Sequence, residues 1–206
     1  KLASRDMVTD AMLMAGEAAA RFAQANGIVI PYAMQPSPEE IRQPQGMAEM
    51  YAYRRLFKPS RASLEPEPHF GLGLDLYARA TSPLRRYADL VVHQQLRAFA
   101  TGRPLLTADQ VLERTAALDA TSATIRRAER VSNQHWKMVY LSRNPGWQGE
   151  AVVVALEERK AVVVVPELAL ETRIRVSPDY SLNQALNLAV REVDIPAQTA
   201  YFRVLG

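Results

Sequence analysis

"HWKMVYLSRNPGWQGEAVVVAL", residues 135–156, holds the point at which this chain changes its periodicity. Before Ser142 the apolar residues recur three and four positions apart, as on one face of a helix. After Gly146 they run as β-branched stretches of strand length. Between the two lies Asn144-Pro145-Gly146, a breaker that neither a helix nor a strand continues through. The stretch therefore predicts an α+β chain cut in two: a helical part over residues 1–143 and a strand-built part over residues 144–206.

Downstream of the breaker, "WQGEAVVVAL", "KAVVVVPEL", "ETRIRV", "LAVREVDIP" and "TAYFRVLG" are five short runs separated by polar or turn-forming residues. Five strands in so few residues predict a small OB-like β-barrel, with an SH3-like barrel as the alternative topology. Upstream, the helical spacing extends backwards through Val111, Leu118, Ile125, Trp136 and Val139, which marks Trp136 as a core residue. Thr107 and Gln110, in T-A-D-Q, form a capping-box pattern that opens this long helix. A first helix is predicted from Ser4 as N-cap, with Val8, Ala11, Met12, Ala15, Ala18, Ala19 and Phe22 as its buried face and Asn26-Gly27 as its stop. Residues 47–57 are helix-competent, and the proline-rich segments on either side of them read as loops.

Composition narrows the function classes. The 206 residues are 48% hydrophobic and carry a formal charge of only +3, so the chain is globular and only mildly basic. There is no cysteine, which excludes a disulfide framework and thiolate metal sites and fits a reducing cytoplasm. No apolar run reaches the roughly 18 residues needed to span a bilayer, and nothing resembles a signal peptide. The expected location is cytoplasmic. Because the chain starts with Lys1 and runs almost at once into an amphipathic pattern, it is expected to be part of a longer protein.

The densest polar cluster lies in "TSPLRRYADLVVHQQL", residues 81–96. Ser82 as N-cap and Pro83 as first helical residue predict a helix start there. Arg85 and Arg86 then fall in the first turn, at the positive end of the macrodipole, where cations are unfavourable. One reading is an ion pair of Arg85 with Asp89 along the helix face, with His93 as a neighbour. The other is an anion site, in which guanidinium and first-turn N–H groups hold a phosphate.

Residues 68–96, "PHFGLGLDLYARATSPLRRYADLVVHQQL", closely resemble the signature of the RNase II catalytic domain, the RNB family of processive 3'-to-5' exoribonucleases. The ordered G-L-G-x-x-x-Y and T-S-P-x-R-R-Y-x-D-x-x-x-H carry the resemblance. "SRDMVTDAMLMAGEAAARF" and "IRRAERVSNQHWKMVYL" look like two further helices of that family, and the terminal barrel like its RNA-binding OB-fold domain. The resemblance implies that Arg85 contacts the phosphate at the scissile bond and that Glu129, in A-E-R, lies near the terminal nucleotide. An ion pair of Glu129 with Arg126 or Arg130 is the plainer reading of the same residue. The chain departs from the family pattern at Val8-Thr9-Asp10, where relatives carry V-E-E and Thr9 replaces a ribose contact, and at Gly16, where relatives carry asparagine. The family's Mg²⁺-binding aspartate cluster has no counterpart here, since Asp6, Asp10, Asp75 and Asp89 are isolated, so its ligands are expected upstream.

His69, His93 and His135 are too scattered for a zinc site. In the barrel, Arg159, Lys160, Arg173, Arg175, Arg191 and Arg203 make a positive groove if they share a face, and a solvated charged surface if they do not. Trp147, Tyr201 and Phe202 are stacking candidates. The expected RNA-binding residues are Arg85, Arg86, Glu129, Arg173 and Arg175, with Arg85 also catalytic. The expected function is the C-terminal part of an RNase II-like enzyme that hydrolyses single-stranded RNA to nucleoside 5'-monophosphates, partnered by the missing N-terminal part of the same enzyme. The rivals are a non-catalytic RNA-binding or regulatory module and a protein-interaction scaffold.

Overall fold

The computed structural model describes residues 2–205, apart from the side chains of residues 118–120; the expected core position Leu118 thus lies outside the described side chains. Its elements are α1 (Ala3–Ala25), β1 (Tyr32–Met34), α2 (Met47–Arg54), β2 (Arg61–Ser63), α3 (Tyr87–Ala100), α4 (Ala108–Arg143) and five closing strands. Those strands are β3 (Gln148–Leu156), β4 (Lys160–Val165), β5 (Leu170–Arg175), β6 (Ala185–Asp194) and β7 (Thr199–Val204). The chain groups into two compact units that are each discontinuous in sequence. The first comprises residues 1–40 and 57–124, and the second residues 41–56 and 125–206. Among the described residues no helix is long and apolar enough to cross a membrane.

In the second unit the strand order β5-β4-β3-β6-β7 makes the first barrel strand the partner of the second and the fourth, a Greek-key arrangement of OB type. Strands β5 and β7 approach each other, so the sheet nearly closes. Alternate residues point inward. Ala151, Val153, Val163, Leu186, Leu188 and Val190 fill the interior, and Met138 and Leu141 of α4 join the same core. The outer face of β3 and β4 is covered by α2, with Ala48 packed on Val154 and Val162. No side chain of α2 itself caps its N-terminus; Asn183, in the left-handed region at φ 65°, does so from the loop before β6. Its Oδ1 accepts from the Ala48 amide at 2.7 Å. Its amide also donates to Glu49, and that bond holds the Glu49 carboxyl below its ordinary pKa.

In the first unit, Ala20, Ala23, Ile30, Leu76, Ala78 and Val92 form the core. Here α1 differs from expectation in two ways. Its N-cap is Leu2, with no side-chain cap from Ser4. The face it buries is Gly16, Ala20 and Ala23, whereas Val8 and Phe22 are 53% and 47% exposed. The reason is steric. A Cβ on Gly16 would lie 2.2 Å from the Tyr77 ring and 2.6 Å from the Ala78 carbonyl oxygen, so the helix sits closest where its side chains are smallest. The helix stop is as expected, with Asn26 as C-cap and Gly27 at φ 62°.

The long helix α4 opens through the reciprocal bonds of a capping box: the Thr107 amide donates to Gln110 Oε1 at 3.0 Å, and the Gln110 amide to Thr107 Oγ1 at 3.3 Å. It ends at Arg143, directly before the Asn144-Pro145-Gly146 breaker.

Candidate nucleic-acid interface

The site is built around residues 81–89. The helix does not begin at Ser82-Pro83. Residues 82–86 form a turn in which the Arg85 and Arg86 amides donate to the Ser82 carbonyl oxygen at 3.2 and 3.0 Å, and α3 starts at Tyr87 with Arg86 as an extended N-cap. The dipole conflict is thereby offset: Arg86 is the N-cap, and its guanidinium is paired with Asp89, the charged residue of the first turn.

Asp89 is fully buried. Its Oδ2 accepts from Arg86 Nη2 at 2.7 Å, from Arg86 Nε at 3.1 Å and from the Ser82 amide at 2.8 Å, while Arg86 Nη2 also donates to Thr81 Oγ1 at 3.2 Å. The ion pair is thus Arg86–Asp89, not Arg85–Asp89. This clamp fixes the turn at both ends. At its tip, Leu84 and Arg85 are exposed; Arg85 makes only a long contact to Ser82 Oγ at 3.5 Å and has no carboxylate partner among the described residues. A rigidly based, unneutralised guanidinium is a receptor for a planar array of anionic oxygens. His93 is committed elsewhere, its Nε2 being 2.7 Å from the Ala80 carbonyl oxygen. His69 is buried, with Nε2 at 3.1 Å from Ser60 Oγ and its ring edge-on to Tyr77. Burial pushes its pKa below the ordinary histidine value, and Arg79 adds to the shift.

Glu129, Arg173 and Arg175 belong to the second unit. Glu129 is exposed on α4, and no ion pair joins it to Arg126 or Arg130 among the described residues. Arg173 and Arg175 alternate with inward Ile174 and so share the outer face of β5, where Arg175 lies opposite Lys160 and Arg173 reaches Glu157 at 3.7 Å. Arg203 and Tyr201 point outward from β7, whereas Trp147 and Phe202 meet edge-to-face at 5.9 Å inside the barrel. Trp136, expected in the core, is instead 62% exposed, because the barrel takes Met138 and Leu141 from the opposite side of α4. Among the described residues no three His, Cys, Asp or Glu side chains converge to hold a metal ion, so these residues do not fit a Mg²⁺ site.

Residues 41–102 match the RNB domain, and residues 147–205 match the RNase II-type exonuclease C-terminal S1 domain. Both segments thus match domains of the RNase II/RNB family. The Arg85 turn lies inside the first matched segment and all five barrel strands inside the second. A ribonuclease of Synechocystis sp. is 35% identical over 212 residues, which cover 98% of this chain and 32% of that protein. Exoribonuclease 2 of Enterobacter sp. is 40% identical over 88 residues, covering 43% of this chain and 12% of the enzyme. The chain thus spans at most about a third of these relatives. In fold it resembles Mycoplasma genitalium RNase R, solved with ribose-methylated single-stranded RNA, with a TM-score of 0.73 at 18% identity over 98% of this chain and 42% of that one.

The sequence motif locates Arg85 but hides what holds it. The Asp89–Arg86 fork and the Ser82 amide bond depend on a turn in place of the expected helical start. Gln95 is hidden in the same way: fully buried, it donates to the Val29 and Leu106 carbonyl oxygens and accepts from the Leu106 amide. A lone glutamine in a helix carries no signal of that kind.

Proposed function

We propose that this chain is the C-terminal part of a cytoplasmic, processive 3'-to-5' exoribonuclease that hydrolyses single-stranded RNA to nucleoside 5'-monophosphates. The observation that carries the reading is Arg85: exposed, without a carboxylate, and presented on a turn clamped by a buried aspartate, inside the RNB-matched segment. In hydrolysis, water adds to the phosphorus of the last phosphodiester and the 3'-oxygen of the shortened chain leaves, so the phosphate stays on the released nucleotide. Arg85 would fork onto the non-bridging oxygens and stabilise the charge that grows there, which is the usual electrostatic contribution to phosphoryl transfer. Arg86 is a weaker RNA contact in this account, since two of its nitrogens already serve Asp89.

Mg²⁺ would be held by carboxylates outside these 206 residues. In functional terms residues 1–143 carry the catalytic part and residues 144–206 the RNA grip, with Glu129 near the terminal nucleotide. The outer face of β5 offers Arg173 and Arg175, with Lys160 beside them, to the backbone of upstream RNA.

The reading is tested on the intact enzyme with a 5'-labelled single-stranded RNA in Mg²⁺ and an excess of unlabelled RNA added after the start. Full-length substrate should disappear without a ladder of intermediates, and 5'-monophosphates should accumulate. Binding without hydrolysis would assign the scaffold a non-catalytic role. The grip is tested by substitution, not truncation, since Met138 and Leu141 of α4 belong to the barrel core. Arg173→Glu with Arg175→Glu should weaken RNA binding and flatten its salt dependence.

A further inference from the structure

The outward face of α4 in the second unit is used by nothing described so far. Residues 125–143 carry five basic side chains, Arg126, Arg127, Arg130, Lys137 and Arg143, against one acid, Glu129. At spacings of three and four, Arg126, Glu129, Arg130, Asn133, Trp136, Tyr140 and Arg143 fall on one side of the helix, and Trp136 and Tyr140 lie well round from Met138, which enters the barrel core. Trp136 and Tyr140 are 62% and 44% exposed one helical turn apart. The Trp136 ring is steadied by the edge of His135 at 5.5 Å. Between the two aromatics, Lys137 donates to the Ala169 carbonyl oxygen, tying this stretch of helix to the turn between β4 and β5. Asn133, Trp136, Tyr140 and that turn line an open groove of about 510 Å³.

We propose that this face is a base-stacking track for single-stranded RNA, in which Trp136 and Tyr140 take successive bases and Arg126 and Arg130 take the backbone phosphates. The inference rests on the RNA-binding reading above and adds a surface to it. Two observations carry it together. Flat apolar rings left in water are costly for a folded protein, yet they suit the π-faces of bases of any sequence. The net charge around it is positive, since five basic side chains stand against Glu129 on the same stretch of helix and Glu167 on the groove's rim, and a net positive face suits a polyphosphate better than an apolar protein partner. Among the described residues nothing covers Trp136, and Asn133 beside it offers an amide for a base edge or ribose.

The test uses the intact protein in EDTA, so that binding is read without hydrolysis. Its probes are a uridine oligonucleotide and an abasic phosphodiester chain of equal length, each at several salt concentrations. Wild type should bind the uridine oligonucleotide with quenching of tryptophan fluorescence. The double variant Trp136→Ala, Tyr140→Ala should lose about tenfold or more in affinity for it, keep its salt slope, and bind the abasic chain as wild type does. Trp136→Phe, which keeps a ring, should stay within a few-fold of wild type. Arg126→Ala with Arg130→Ala should instead lower the salt slope by about one to two for both probes. Because the aromatic side chains are exposed, the melting temperature of the double variant should be unchanged, which separates loss of stacking from loss of fold. A double variant that binds the uridine oligonucleotide like wild type overturns the proposal and leaves the face to a protein surface. Failure of wild type itself to bind the oligonucleotide would overturn the RNA-binding reading as well.

Discussion

The barrel and the first unit bury their apolar residues by different means. In the barrel, alternation along β3, β4 and β6 sends Val153, Val163 and Leu188 inward, and Val153 opposes Val163 across the sheet. In the first unit the closest packing occurs where α1 has no side chain at all, at Gly16, and its larger residues Val8 and Phe22 stay exposed. Hydrophobicity reports how apolar a residue is. It does not report how near two backbones come, and in the first unit nearness decides the buried face. The same unit fixes its loops with buried polar groups, Asp89, Gln95 and His69, where the barrel uses mainly apolar ones.

If that contrast is right, the two units should fail differently. In the barrel the largest loss should come from shortening an inward side chain: Leu188→Ala should cost about 4 kcal/mol, read by chemical denaturation, since Leu188 is wholly buried. In the first unit the matching loss should come from enlarging a residue. Gly16→Asn, the residue that the family pattern carries there, should cost about 3 kcal/mol through overpacking against Tyr77 and Ala78. A neutral Gly16→Asn would show that α1 moves freely and would remove the contrast.

Smaller again, Asp89→Asn should cost about 2 kcal/mol, because Arg86 keeps 35% of its surface in water and so is not left as a fully buried charge. Circular dichroism melting checks it, and the same variant should lower RNA turnover by loosening the turn that carries Arg85. The least effect is pH-dependent. His69 is buried with a lowered pKa, so below the ordinary value near 6.5 the unfolded chain binds a proton that the folded one resists. Stability should therefore fall as the pH is lowered through about 6.5 towards the folded pKa, and His69→Gln should reduce that slope. Melting temperatures between about pH 7.5 and pH 5 read it; an identical slope in both proteins would assign the acid sensitivity to other groups.

How much of this was legible in the sequence follows the same division. The five strands, the capping box of Thr107 and Gln110, and the Asn26-Gly27 stop depend on neighbours in sequence, and all are found where their local signals put them. The buried face of α1, the exposure of Trp136 and the pairing of Asp89 with Arg86 depend on what packs from elsewhere in the chain. For these the local pattern points to the wrong partner: helical spacing joins Arg85 to Asp89 four residues on, but the turn at residues 82–86 breaks that spacing and brings Arg86 in its place. The motif specifies which side chains are present even where it does not specify who holds whom.

Arg85 is the central claim, and the intact enzyme with a short single-stranded RNA tests it in one comparison of turnover and affinity. Arg85→Lys keeps the charge and loses the bidentate fork, so single-turnover hydrolysis should fall by about a hundredfold while affinity measured in EDTA stays within a few-fold. Hydrolysis near the wild-type rate would contradict the account and leave Arg85 as an exposed surface charge.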